Sequence, residues 1–302
     1  MLYDTIINGL IAGSLYAVVA LGYSLVYSVV GFVNFAHGDL LAVGVYVCLA
    51  LGTGGLGWPL AVVVPLAVAA TGLVSAAVGR TLLIPAARRS SLAALLVAIG
   101  VSVVLQSILA AVFTSEAVPF YTDNSLGRPV ASWLPMKWLH VWTLLGGVAS
   151  VAALWLLFFR RSLLGLEIRA SASNPRAAQI LGLRREYVFT VVFFISGVFA
   201  ALAGIAVGLD DRVVVPTLGF SLGLRAFVAS VIGGIRSLGG AVAGGFLLGM
   251  LENVVAALVL KVPLLAPHAA ALSKDTLALV VLGVVLVWRP KGLFDQGIEA
   301  RP

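Results

Sequence analysis

Between Thr5 and Val30 the chain carries no Asp, Glu, Lys or Arg, and further apolar runs follow near 40–52, 58–79, 92–114, 139–159, 187–209, 220–234, 240–260 and 276–289. Most approach the roughly 20 residues an α-helix needs to cross the hydrocarbon core of a bilayer. Water cannot satisfy backbone N–H and C=O groups there, so these runs are predicted to be helices. Two of them, 40–52 and 220–234, are too short for an upright crossing and are expected as re-entrant or broken helices. The pattern predicts an all-α polytopic membrane protein with about eight or nine transmembrane or broken helices. The N-terminus, "MLYDTIINGL", lacks a basic leader, and its apolar run exceeds the roughly 7–15 residues of a cleaved signal core, so it is read as a retained first span. No fixed-period tandem repeat is visible, although two Gly-rich polar breaks, one in each half, suit the inverted repeats of transporters.

Composition agrees with this pattern. Of 302 residues, 61% are hydrophobic and 10% charged, against about 25% charged in a soluble domain; the mean hydropathy is +1.12. If all nine segments cross, the loops 80–91, 160–186 and 235–239 share one side with the C-terminal tail. That side holds 13 of the 19 Lys and Arg residues, and the other holds five: Arg128, Lys137, Arg212, Lys261 and Lys274. By the positive-inside rule the N-terminus is outside and the C-terminus cytoplasmic, and this accounts for the net charge of +7 without any nucleic-acid partner. The single cysteine, Cys48, excludes an intrachain disulfide. His, Cys and carboxylate residues show no metal-ligand spacing, so no metal is expected. Trp133, Trp138 and Trp288 fall where aromatic rings anchor in the headgroup zone.

The long basic loop contains "NPRAAQILG", which carries its own helix punctuation: Asn174 to cap, Pro175 at the first helical position, and Gly182 as a left-handed stop. The enclosed helix is about two turns, with Ala177, Ala178, Ile180 and Leu181 as apolar surface and Arg176 and Gln179 as polar surface. So short a helix is marginal alone. It either lies on anionic headgroups or docks in a groove of a cytoplasmic partner.

Polar residues inside the apolar runs are the other candidates. Glu252, with Asn253 beside it, sits within 240–260, where a carboxylate costs several kcal/mol unless it is paired or protonated. Arg225 is the nearest basic partner, and a Glu252–Arg225 pair is expected either as part of a pathway or with each residue finding other structural partners. Gln106, in 92–114, suits an interhelical hydrogen bond better than a pathway. In "GGIRSLGGAVAGG", Gly240, Gly244 and Gly245 are read as helix-packing positions, and Gly233, Gly234, Gly239 and Gly240 frame a break around Arg236. In "GFVNFAHGDLL", Asn34 or Asp39 is placed to cap a helix starting near Leu40, with Gly38 as a flexible approach.

Three segments together resemble the branched-chain amino-acid type of ABC transporter permease, a family of two related membrane subunits that also includes urea and amide relatives. The first is "GLIAGSLYAVVALGYSLVYSVVGFVNFAHGDLLAVGVY", similar to the N-terminal signature of the first of those subunits. The second, "RASASNPRAAQILGL", is similar to the cytoplasmic segment that contacts the ATPase. The third is "RAFVASVIGGIRSLGGAVAGGFLLGMLENVV", followed by "WRPKGLF". They occur in order along almost the whole chain.

The resemblance implies one transmembrane permease domain over 1–302, in a bacterial or archaeal inner membrane. It implies a second related permease subunit, two ATP-binding subunits and an extracytoplasmic solute-binding protein as partners. ATP and Mg would be used by the ATPases, with no cofactor bound by this chain. Loop 160–186 becomes the coupling loop, with Asn174, Pro175, Arg176, Ala177, Ala178, Leu181 and Gly182 facing the ATPase. Asn34, Phe35 and His37 become candidates for the translocation path or inner gate, and Gly240, Gly244 and Gly245 for contact with the partner permease. Branched-chain amino acids are the family default as solute, with other amino acids, urea or short amides as alternatives. The chain has no Gly-Lys dipeptide and hence no G-x-x-x-x-G-K-[ST] phosphate loop.

Two rival readings remain. "GFSLG", Gly219 to Gly223, matches a serine nucleophile pattern that acts only on a strand-to-helix elbow with a triad partner. An autonomous secondary transporter or channel would use broken helices around a midplane site.

Overall fold

The computed structural model describes residues 2–52, 55–121, 127–130, 136–159, 162–173, 175–180, 182–259 and 274–294. The long apolar runs are helices: α1 (Leu2–Val30), α3 (Leu60–Val78), α5 (Ser91–Val112), α6 (Trp138–Phe159), α9 (Arg185–Asp211) and α11 (Leu238–Val259). Among the described residues these six, with α3 extended through α4 to Arg89, are long and apolar enough to cross a membrane. Shorter helices are α2 (Ala36–Leu51), α4 (Ile84–Arg89), α7 (Leu163–Ser173), α8 (Pro175–Ile180), α10 (Leu218–Gly233) and α12 (Lys274–Trp288).

α1 is the spine. It packs along α11 and also touches α9, α10 and α6. Small residues let the α1 and α11 backbones approach: Gly9 and Gly13 face Met250 and Phe246, Gly249 faces Gly13, and Gly245 faces Ala17. The main core gathers around this seam and includes Tyr16, Leu21, Leu25, Phe193, Ile232 and Leu248.

The two short runs are helices of 16 residues each, about 24 Å long at 1.5 Å per residue, against a core of about 30 Å. Protein surrounds α2 on nearly every side, whereas α10 leaves Phe220 exposed. In α2 only Val47, Ala50 and Leu51 escape full burial, whereas α5, with 22 residues, buries only Ala94, Ala98, Val101, Ser102 and Leu109. The order long, short, long occurs twice, as α1–α2–α3 and as α9–α10–α11.

α3 continues into α4 through a π turn, Gly79–Leu83. Pro85 has no N–H to give Thr81, and its ring crowds that carbonyl. The wider turn resolves the conflict, with Ile84 N–H reaching back to Gly79 O. At the end of α9 farthest from α8, Arg212 takes a left-handed conformation (φ 59°). There Val118–Pro119 (β1) pairs antiparallel with Val213–Val214 (β2), and Phe120 N–H donates to Arg212 O at 2.8 Å.

Candidate functional site

The stretch after α1 folds differently from the cap reading. α2 begins at Ala36, four residues earlier than expected, Phe35 occupies its N-cap position, and no side chain caps it. His37, Gly38 and Asp39 therefore lie inside the first turn. Asn34 contributes its backbone carbonyl, which accepts from His37 N–H at 3.1 Å. Its side chain is 3% exposed, and its Oδ1 has no partner among the described residues.

His37 is fully buried. Its Nε2 lies 3.2 Å from Val19 O and its Nδ1 lies 2.9 Å from Ser196 Oγ. A carbonyl only accepts, so Nε2 carries the proton, while the partner of Nδ1, the Ser196 hydroxyl, also lies 3.4 Å from Gly22 O. The Tyr23 ring stands edge-on to the imidazole, centroids 4.6 Å apart, and Phe227 joins Tyr23 (5.8 Å) to Phe35 (5.4 Å). Asp39, also fully buried, turns to α5: it accepts from the Ser102 hydroxyl and, at 2.8 Å, from Gln106 Nε2. Gln106 is thus an interhelical bond, as its neutral polar character favours.

Gly38 is a point of contact rather than a flexible approach. A Cβ there would strike Gly219 O of α10, and a Cβ on Gly223 would strike Gly38 in return. The glycines of "GFSLG" let α2 and α10 cross backbone to backbone, so the spacing that matches a nucleophile elbow is a packing device on a helix. Ser221 bonds to Arg225 and Asp275, while the two described histidines are engaged elsewhere, His140 with Asp210. Among the described residues the enzyme reading therefore lacks its strand and its base.

The second polar cluster joins α1, α10, α11 and α12. Arg225 donates through Nε to Asp275 Oδ1 at 2.5 Å, through one terminal nitrogen to Ser221 Oγ at 2.7 Å, and through the other to the Tyr16 hydroxyl at 3.2 Å. Ser221 Oγ lies 3.2 Å from both Asp275 oxygens. Tyr16 donates to Glu252 Oε2 at 2.8 Å. The expected Glu252–Arg225 ion pair is thereby corrected: Tyr16 stands between the two, because its ring spans from α1 to both partners. Asn253 is not part of the cluster, since its Nδ2 donates to Gly249 O of its own helix at 2.8 Å. The side of the cluster toward the far end of α9 carries further charge. Asp211 lies within electrostatic reach of Lys274, Arg225 and Lys137, and Asp210 pairs with Lys137 at 2.7 Å and with His140 at 3.2 Å.

Gly240, Gly244 and Gly245 pack within this chain: Gly240 on Gly233, Gly244 on Ala229 and Gly233, and Gly245 on Ala17. Their small faces are already occupied, which corrects the expected contact with a partner permease.

In loop 160–186, α8 runs Pro175–Ile180, and Gly182 has φ +80°, as a left-handed stop requires. Leu183 N–H donates to Ala178 O at 3.1 Å. Ala178 turns inward (4% exposed) and Ile180 outward (87%); Ala177 is exposed. Asn174 and Leu181, and the side chains of Pro175 and Arg176, lie outside the described residues.

Sequence reasoning flagged Arg225 and Glu252 because charge stands out in an apolar run. It missed Tyr16, Ser196 and Ser102, which do not, it read Ser221 only as part of a nucleophile pattern, and it placed Asp275 in a loop although the residue lies in the first turn of α12.

A family model described as "Branched-chain amino acid transport system / permease component" matches residues 5–289. The high-affinity branched-chain amino acid transport system permease protein LivH of Escherichia coli is 31% identical over 310 residues, covering 96% of this chain and 94% of its own length. The corresponding protein BraD of Pseudomonas aeruginosa is 32% identical over 309 residues, covering 96% and 95%. A probable LivH of Methanocaldococcus jannaschii is 29% identical over 257 residues, covering 82% and 79%.

Proposed function

The chain belongs to the branched-chain amino-acid transport permease family, and from that premise we propose that it carries branched-chain or closely related amino acids across the inner membrane of a bacterium or archaeon. It is a membrane-spanning transport component of an ATP-driven importer, not an enzyme, and ATP hydrolysis belongs to separate subunits. The observation that carries the solute assignment is the match over residues 5–289, shared with relatives named for that transport over nearly their whole length.

The rest of the assembly follows as part of the same reading. The chain forms one permease domain beside a second related subunit, and an extracytoplasmic binding protein delivers solute. Two ATPases use ATP and Mg, and this chain binds no cofactor. The N-terminus lies outside and the C-terminus in the cytoplasm, supported by the thirteen-to-five split of basic residues. Loop 160–186 then meets the ATPases, with α8 as the docking helix and Ile180 as its outward apolar contact. Arg225 and Glu252 belong to the solute path, and Asn34 and Phe35 flank its inner part. His37, Gln106 and Asn253 already have partners within the chain and serve the scaffold.

Reconstitution of the complex in liposomes tests this. Loaded binding protein is expected to stimulate ATP hydrolysis, and uptake of L-leucine to require ATP inside the vesicle compartment that holds the ATPases. Uptake by this chain alone without ATP would instead establish an autonomous transporter.

A further inference from the structure

In the chain of contacts Asp275–Arg225–Tyr16–Glu252, a guanidinium stands between two carboxylates whose surroundings differ. The Asp275 side chain is 40% exposed and that of Arg225 19%, so this end opens outward. Glu252 is 1% exposed. One of its oxygens accepts from Tyr16; the other, Oε1, has no partner among the described residues.

A buried carboxylate oxygen without a donor is costly, the more so in a membrane. Oxygen of this kind is completed by an N–H or a cation, and one hydroxyl away lies a guanidinium whose planar fork suits a carboxylate. An acceptor for a cation and a donor for an anion are therefore held on either side of Tyr16, in a cluster whose exposed end is Asp275. An α-amino acid carries a carboxylate and an ammonium on a single carbon, one for each kind of partner.

Resting on the permease reading above, we propose that this cluster is a zwitterion acceptor: the solute's α-carboxylate replaces Asp275 on Arg225, and its α-ammonium binds Oε1 of Glu252. Asp275 is the resting partner that keeps the guanidinium from standing unpaired between solutes, since a buried charge that loses its partner is strongly destabilising. Ser221 and Tyr16 are positioning residues. Ser221 holds one terminal nitrogen of Arg225 and also touches Asp275, so it steadies the guanidinium while the acid departs. Tyr16 sets the separation of the two charged groups. Solutes without both charges, such as urea and short amides, leave at least one of them unmet.

The test is binding of labelled L-leucine to the purified four-component membrane complex without nucleotide, with two competitors of the same side chain. One is 4-methylpentanoate, which lacks the ammonium, and the other is 3-methylbutylamine, which lacks the carboxylate. In the wild type, unlabelled leucine is expected to compete at least tenfold better than either. Glu252→Gln is expected to abolish the preference over 4-methylpentanoate, and Arg225→Gln the preference over 3-methylbutylamine. Both variants should still co-purify with the partner permease and the ATPases in the wild-type ratio. Equal competition by the three compounds in the wild type overturns the proposal without any variant, and so does unchanged preference in variants that assemble. Equal loss of preference over both competitors in either assembled variant also overturns it, because that marks a structural tether rather than a contact with one charge. Failure of the permease reading itself would show separately, as absence of ATPase stimulation in the wild type.

Discussion

The His37–Asp39 cluster and the Arg225–Glu252 cluster both lean on α1, the first through Val19 and Tyr23 and the second through Tyr16, within about two helical turns. In the first, both ring nitrogens of His37 are engaged and each Asp39 oxygen receives a donor. In the second, one carboxylate oxygen has no partner among the described residues and the outer acid is partly exposed. Both clusters place ionisable residues among membrane helices, yet one is closed on itself and the other is open at two points. A closed polar cluster specifies how helices meet. An open one holds free energy in reserve for something that binds.

The comparison breaks most severely at the seam between α2 and α10. Gly223→Val drives a side chain into the Gly38 backbone, a backbone collision that flexible side chains cannot absorb. The expected loss is about 3 kcal/mol or more, read as near absence of assembled complex after detergent extraction. Normal yield and thermal stability would show that the two short helices do not need this contact.

Within the closed cluster, Ser196→Ala removes the hydrogen-bond partner of Nδ1 of a buried imidazole. It should lower stability by about 1–3 kcal/mol, seen as a lower melting temperature of the solubilised complex, while uptake per assembled complex stays normal. A variant that melts normally and transports poorly would move His37 into the path.

Within the open cluster the opposite split is expected. Glu252→Gln replaces a buried carboxylate with a neutral amide of the same shape, so stability should hold or rise by about 1 kcal/mol while uptake falls at least tenfold. A marked drop in melting temperature would show that Glu252 is closed after all.

The smallest effect belongs to the ion pair outside both clusters, Arg88–Glu186, whose side chains are 63% and 60% exposed. Arg88→Ala should change stability by no more than about 0.5 kcal/mol, measured in the same melts.

Much of the helical frame was legible because a bilayer leaves the backbone few alternatives, and the apolar runs mark α1, α5, α6, α9 and α11 to within a few residues. The stop at Gly182 was legible for a local reason: a positive φ favours glycine. The clusters were legible only in part. Glu252 and Arg225 announce themselves, but Tyr16 lies 236 residues from Glu252, and a tyrosine or serine in an apolar run carries no periodic signal. The start of α2 was not legible, because the polar residues in "NFAHGD" suit the cap of a helix that begins after them, near Leu40. That inference assumes lipid around the chain. α2 is wrapped by α1, α3, α5, α9 and α10, and its polar residues find partners there. The same wrapping explains why α2, too short to cross upright, is stable.

The π turn between α3 and α4 has a geometric consequence of its own. It holds one residue more than a regular helix would, and one residue is about 100° of rotation about the axis. Everything beyond Leu83 is therefore turned by that angle relative to the apolar face of α3, and in this phase Arg88 reaches Glu186 at the start of α9. Straightening this turn into a regular helix of the same sequence would instead swing Arg88 and Arg89 by about that angle. The segment thus works as a one-residue phase adjuster: it aims the basic end of the rod without lengthening its apolar part.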